Sequence, residues 1–323
     1  MSSSFTPSPN RRRFFALAAG ACAAGGWWRW QRELQRVTQS SHALGAKVTM
    51  TALHADEAAA REAVEAAFAE LEAIEAVMSL YRPESELCRL NRDSVLEKPD
   101  ARLLEVLRFA AQVSEKSGGA FDVTVQPVWT LKGAKADAET LARVDWKKLR
   151  IEEQRIVLEK GMAVTLNGIA QGYAADAAMR VLRAHGIEHA LVDAGEFSAR
   201  GANAKRDAWS IGIQHPRERE AFAALARLDN RCLATSGDYE TAFTDDLSQH
   251  HIVNPRTGRS PEELASVSVL APDAMTADAL STALFVLGAK RGQELLREFA
   301  GTDALLITKN GRHIATAGFA TVA

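Results

Sequence analysis

The sequence predicts an α+β fold, a single domain with a largely antiparallel sheet and packed helices. Two observations point there. Strand and helix signals do not alternate regularly, as a doubly wound parallel sheet would require, and hairpin signals recur along the chain. No tandem repeat and no linker-like stretch interrupts residues 31–323, so one core is expected. A composition of 47% hydrophobic and 25% charged residues supplies that core and excludes disordered, collagen-like and disulfide-scaffold classes.

The elements follow in order. Lys47–Leu53 reads as the first strand. Asp56–Ser79 reads as a long helix, because Val64, Phe68, Leu71, Ile74, Val77 and Met78 recur at helical spacing. Asp100 can cap a second helix, in which Leu104, Leu107 and Ala111 share a face and Gly118-Gly119 supply the stop. A strand is expected over 121–129, with Pro127 placing its far end at an edge or bend. Leu149–Ile151 and Arg155–Leu158 form a hairpin, followed by a strand over Ala163–Leu166 and a helix from Ile169 to His185. Further strands fall near His189–Val192, Ser210–Gln214, Arg231–Ala234, Ile252–Val253 and Ser266–Leu270. Helices over Ala274–Leu287 and Gln293–Ala300 and a hairpin about Asn310-Gly311 complete the chain.

Residues 1–30 are an address and an N-terminal segment. Arg11-Arg12-Arg13 precede an apolar run of 13 residues from Phe14 to Gly26. That run is too short to span a membrane, which takes about 20 residues, and has the layout of an export signal. Arg11-Arg12 followed by Phe14 resembles the twin-arginine type, although Asn10 stands where Ser or Thr is usual. A periplasmic protein is therefore expected. Ala21-Cys22-Ala23 offers a cleavage site, and Ala19-Gly20-Ala21-Cys22 is a loose lipobox that would leave an N-terminal lipid anchor instead. Lys+Arg 39 against Asp+Glu 41 leaves no basic excess for nucleic acid. Cys22, Cys88 and Cys232 share no CxxC spacing, and no disulfide is expected between the last two.

Four polar, Gly-containing segments could carry chemistry. In Gly118–Thr124, the double Gly permits close backbone approach to a ligand, with Asp122 and Thr124 on one side of the expected strand; a helix stop followed by an ordinary strand is the plainer reading. Thr165–Tyr173 leads into a helix N-terminus, which favours anions, yet contains neither Walker lysine nor G-x-G-x-x-G; Gly168 and Gly172 would equally serve close packing. Ala234–Tyr239 and His250–Gly258 bring hydroxyls, an acid and paired His, of which only one can face a given site. On a helix, Asp278 and Thr282 are i and i+4, and their oxygens together suit Mg²⁺; Asp278 could otherwise be an N-terminal cap.

Taken together and in this order, these segments resemble the ApbE family, the FAD:protein FMN transferases. The run Ser79-Leu80-Tyr81, with Ser85-Glu86 and Leu90-Asn91, matches the early segment. Gly119-Ala120-Phe121-Asp122-Val123-Thr124, Gly168-Ile169-Ala170-Gln171-Gly172-Tyr173, Thr235-Ser236-Gly237-Asp238-Tyr239, His251-Ile252-Val253-Asn254-Pro255 and Ala277-Asp278-Ala279-Leu280-Ser281-Thr282 follow. The resemblance covers roughly residues 44–320 and implies the ApbE fold and an enzyme that splits FAD, attaches FMN through a phosphoester to a Thr or Ser of a partner flavoprotein, and releases AMP.

By position, the resemblance implies that Asp278, Thr282 and the carbonyl of Gly168 bind Mg²⁺, and that His251 takes the acceptor's proton. It places Leu44, Tyr81, Ala120, Phe121, Asp122, Thr165, Gln171 and Ile252 around FAD. Three positions depart from the family pattern: Thr165 replaces its usual Asp, Gln171 its usual Lys, and Gly195-Glu196 its usual Gly-Gly. These variants resemble the exported NosX branch associated with nitrous oxide reduction. The implied partner is then a membrane flavoprotein of the NosR type, with an FMN-binding domain on its exported side. The competing expectations are a non-catalytic periplasmic FAD carrier and a structural accessory protein for metallocentre assembly.

Overall fold

A computed structural model describes residues 34–321; the expected export signal and Cys22 lie outside them. The backbone is organised by one eight-stranded sheet in which every paired strand is antiparallel. It begins with β1 (Gln35–Ala43) and β2 (Ala46–His54), a hairpin whose two-residue loop puts Leu44 at φ 52° and Gly45 at φ 75°. Two successive left-handed residues match the twist of a tight hairpin, although Leu pays a steric cost there. The first strand was not expected. Its residues are mostly polar and exposed, with Val37 and Ala43 buried, so periodicity leaves no trace of it.

Helix α1 (Glu57–Met78) starts where Asp56 accepts the amides of Ala58 and Ala59, and it buries the stripe read from the sequence except Phe68, which is half-buried against the core. A short helix α2 (Glu86–Asp93), capped by Ser85, leads through β3 (Val95–Glu97) to α3 (Ala101–Lys116). The strand expected over 121–129 is absent. Asp122 accepts the amide and hydroxyl of Thr124 at 2.8 and 2.6 Å, a local turn that competes with a strand ladder, and α4 (Gln126–Trp129) follows. After α5 (Ala138–Ala142), β4 (Arg150–Glu152) and β5 (Arg155–Val157) form the expected hairpin, joined by β3 into a small second sheet. Residues 163–166 are not a strand beyond one bridge, Ala163 to Val125, because Asn91 takes both polar groups of Val164.

Helix α6 (Ala170–Ala184) precedes β6 (His189–Asp193) and β7 (Phe197–Arg200), and the ribbon β8 (Trp209–Gln214) and β9 (Phe222–Leu228) stands apart as its own two-stranded sheet. The main sheet is completed by β10 (Cys232–Gly237), β11 (Leu264–Ala271), β12 (Asp303–Thr308) and β13 (His313–Ala315). Residues 252–253 form no strand. Helix α7 (Ala274–Leu296) is two helices joined at Gly288, whose φ of 78° breaks the helical path where the sequence predicts the first to stop. The second helix starts earlier than expected, since Glu263 accepts the amide of Ala289 and restarts it.

Both faces of the sheet are covered. Val48, Met50 and Ala52 of β2, Ala234 of β10 and Val267 and Val269 of β11 face the layer formed by α1, α6 and α7. Alternate residues Leu53, Leu233, Leu270 and Leu305 face the β8–β9 ribbon. Strand β11 is buried at every residue, as a central strand covered on both faces must be. Cys88 and Cys232 are free thiols; Cys232 lies 3.3 Å from the Ser198 hydroxyl.

Candidate active site

A cavity of about 660 Å³ opens where the 118–125 turn, the 165–172 loop, the β6–β7 turn, β10, residues 251–255 and the start of α7 meet. That volume lies in the usual range for small-molecule sites. One side is built by α7 against α6. Asp278 is buried at 3% exposure, and its Oδ2 accepts the Gly172 amide at 3.0 Å. The capping alternative for Asp278 is excluded by the contacts. Asp273 accepts the Thr276 amide, while Asp176 accepts those of Ala274 and Met275 at 2.9 Å each, so the helix start is already satisfied. Thr282 stands one turn on, its hydroxyl 3.3 Å from that of Ser236, which lies 2.7 Å from Ser281.

The two glycines of the 165–172 loop permit this approach. A Cβ on Gly172 would lie 2.3 Å from the Ala274 carbonyl oxygen, and one on Gly168 would lie 2.9 Å from Thr282 Oγ1. The Gly168 backbone is thereby brought beside Thr282, and the Gly172 backbone beside Asp278. Asp278 Oδ1 has no hydrogen-bond partner among the described residues. An acceptor-only oxygen without a donor, on a cavity that the Thr282 hydroxyl and the Gly168 backbone also line, suits a hard cation.

Burial pushes the carboxyl of Asp278 well above the usual range. Glu196, at 8% exposure, is raised first by burial and then by the charge of Asp278. Its Oε2 accepts the Thr235 amide at 3.1 Å. In the sequence Glu196 shows only as a departure from the family pattern, an acid following Gly195 between two apolar strands. Asp122 is held by Thr124 and by the Trp146 amide at 3.1 Å, and burial raises it too. Among the residues that line the cavity are the four carboxylates Asp122, Glu196, Glu240 and Asp278, and no Lys or Arg.

The His pair separates as expected, though not on a strand. His250 is fully buried against Phe285, ring centroids 5.4 Å apart, and burial lowers its pKa to about 4. His251 lines the cavity, its Nδ1 3.3 Å from the Thr241 carbonyl oxygen; burial lowers its pKa below the ordinary value.

Ala120, Phe121, Asp122, Thr165, Gln171 and Ile252 also line the cavity. Leu44 and Tyr81 do not. Leu44 sits in the β1–β2 turn beside the lining residues Gly45 and Ala46, and Tyr81 is an outward-facing aromatic at 78% exposure. The aromatic lining comes instead from Phe121, Trp129, Phe197 and Tyr239; Tyr239 ends a segment that the sequence marks, whereas Trp129 and Phe197 carry no periodicity that points to a site.

The site's layout, loops clustered beside an antiparallel sheet under a helical layer, is that of an α+β fold with its ligand cavity built from loops. The ApbE family profile matches residues 44–306, and the chain belongs to that family. It is 35% identical over 288 residues to an FAD:protein FMN transferase of Treponema pallidum, covering 79% of this chain and 80% of that protein. It is 32% identical to one of Salmonella typhimurium over 76% of this chain and 77% of that protein. Among solved structures, the ApbE protein of Thermotoga maritima superposes with a TM-score of 0.78 at 28% identity, covering 88% of this chain and 98% of that one.

Proposed function

We propose that the chain is an FAD:protein FMN transferase that binds FAD in this cavity and moves its FMN moiety to a Thr or Ser hydroxyl of a partner flavoprotein. The observation that carries this reading is the meeting of Asp278, Thr282 and the Gly168 backbone on one side of a cavity that His251 also lines, in a chain of this family.

His251 accepts the proton of the acceptor hydroxyl. One ring nitrogen faces the Thr241 carbonyl, and burial keeps the imidazole neutral near pH 7, which leaves the other nitrogen able to take a proton. The acceptor oxygen then bonds to the FMN phosphorus. The pyrophosphate P–O bond breaks, and AMP leaves with that electron pair. Asp278, Thr282 and the Gly168 carbonyl would hold Mg²⁺, which when bound neutralises charge on the pyrophosphate oxygens. The apolar and aromatic lining around Phe121 and Ile252 excludes water, which would otherwise compete with the acceptor hydroxyl.

Residues 1–26 are read as a twin-arginine export signal, which places the mature enzyme in the periplasm, with a lipid on Cys22 as the alternative anchor. Its acceptor is then a flavoprotein with an exported FMN-binding domain, and the substitutions at Thr165, Gln171 and Glu196 favour a NosR-type acceptor in nitrous oxide reduction. Among the described residues no helix is long and apolar enough to cross a membrane, so contact with the bilayer would come through the partner or the N-terminus. Stoichiometry tests the chemistry: FAD, Mg²⁺ and an acceptor domain should yield one AMP for each FMN attached. AMP release with no attached flavin would make the chain an FAD hydrolase instead.

A further inference from the structure

Glu196 is unexplained by the residues assigned so far. The β6–β7 turn that carries it is pressed onto α6: a Cβ on Gly195, at φ 93°, would lie 2.6 Å from the Gln171 amide nitrogen. The turn delivers a carboxylate into the cavity wall at 8% exposure. Its Oε2 is anchored on the Thr235 amide at 3.1 Å, and the next residue, Ser236, reaches Thr282 Oγ1 at 3.3 Å. Glu196 is therefore held one residue along β10 from the contact that fixes the Thr282 hydroxyl. Its Oε1 has no hydrogen-bond partner among the described residues, and neither has Asp278 Oδ1.

Two buried carboxylates on one cavity repel each other, and burying an unpaired charge is costly. A pyrophosphate adds further negative charge to a cavity lined by four carboxylates and no Lys or Arg. With no cationic side chain in the lining, a proton or a dissolved cation is the counter-charge left to it. We propose that Glu196 is a further protein contact of the divalent cation, its Oε1 joining Asp278, Thr282 and the Gly168 carbonyl, so that this chain holds the cation with two carboxylates. A second hard, anionic oxygen raises affinity for Mg²⁺ or Mn²⁺ before any FAD is bound. The inference rests on the proposed cation-assisted transfer, and concerns binding of the ion alone.

The experiment is titration of the full chain with Mn²⁺, without FAD, followed by electron paramagnetic resonance of the free ion. Glu196→Gln keeps an oxygen for the Thr235 amide and removes the charge; it should weaken Mn²⁺ binding about tenfold or more. Glu196→Asp should recover part of that loss, whereas a role limited to packing would not follow charge. Circular dichroism and the melting temperature report that the variants fold. Mn²⁺ affinity of Glu196→Gln within twofold of the parent, with Asp278→Asn greatly weakened, would overturn the role of Glu196 and leave the cation site standing. Unchanged affinity in both variants would overturn the cation site itself.

Discussion

Asp278 does not have the environment of an ordinary surface carboxylate on a helix. Its neighbours Asp273 and Asp176 satisfy the amides at the helix start, and its own free oxygen faces a cavity. Asp278→Asn, nearly isosteric, should lower FMN transfer by about a hundredfold or more, the order seen when a group that stabilises transition-state charge is removed. Circular dichroism and the melting temperature should stay at parental values, because the variant relieves charge repulsion with Glu196. As the proposed base, His251 should set the pH profile. Its pKa is lowered by burial, so the neutral base persists below pH 6.5 and is lost as pH falls through the lowered value. Transfer should therefore decline on the acid side and hold near neutrality; His251→Ala should slow transfer and flatten that acid limb while FAD still binds. Loss of FAD binding in this variant would make His251 a ligand contact instead of a base.

The elements differ in how plainly the sequence announces them, and the reasons are physical. Helix α1 is legible because its buried stripe and its Asp56 cap agree, and the break in α7 is legible because Gly288 can adopt a positive φ. Strand β1 is not, since an edge strand needs only two buried residues and takes its register from the Leu44-Gly45 turn. The 121–129 segment misled because Phe121, Val123 and Val125 alternate like a strand, while Asp122 ties its own backbone into a turn. That Asp278 and Thr282 share a helix face was readable from helical spacing; the approach of Glu196 was not, because only the fold brings β6–β7 beside α7. The α6–α7 contact itself is decided at Gly172, where a methyl group would meet the Ala274 carbonyl and the Asp278 side chain at 2.3 and 2.8 Å. Gly172→Ala should destabilise the protein by about 1–3 kcal/mol, measured by urea unfolding, and should abolish transfer by displacing Asp278.

At the scale of the whole molecule, a main sheet covered on both faces leaves loops that form the cavity, and the family match over residues 44–306 spans every residue that lines it. The export signal proposed at the N-terminus would set where the molecule works. Replacing Arg11-Arg12 with Lys-Lys should block delivery through the twin-arginine route, and fractionation should then find the protein in the cytoplasm; normal periplasmic delivery would remove that reading. The cavity, its carboxylates and its base together predict a reaction, and one assay addresses it most directly. The full chain is incubated with FAD and an exported flavoprotein domain, with and without Mg²⁺, and the acceptor is examined for flavin fluorescence after denaturing electrophoresis. Covalent label that requires both Mg²⁺ and Asp278 is the predicted result. Tight FAD binding with no label on two different acceptor domains would contradict it and leave a flavin carrier in its place.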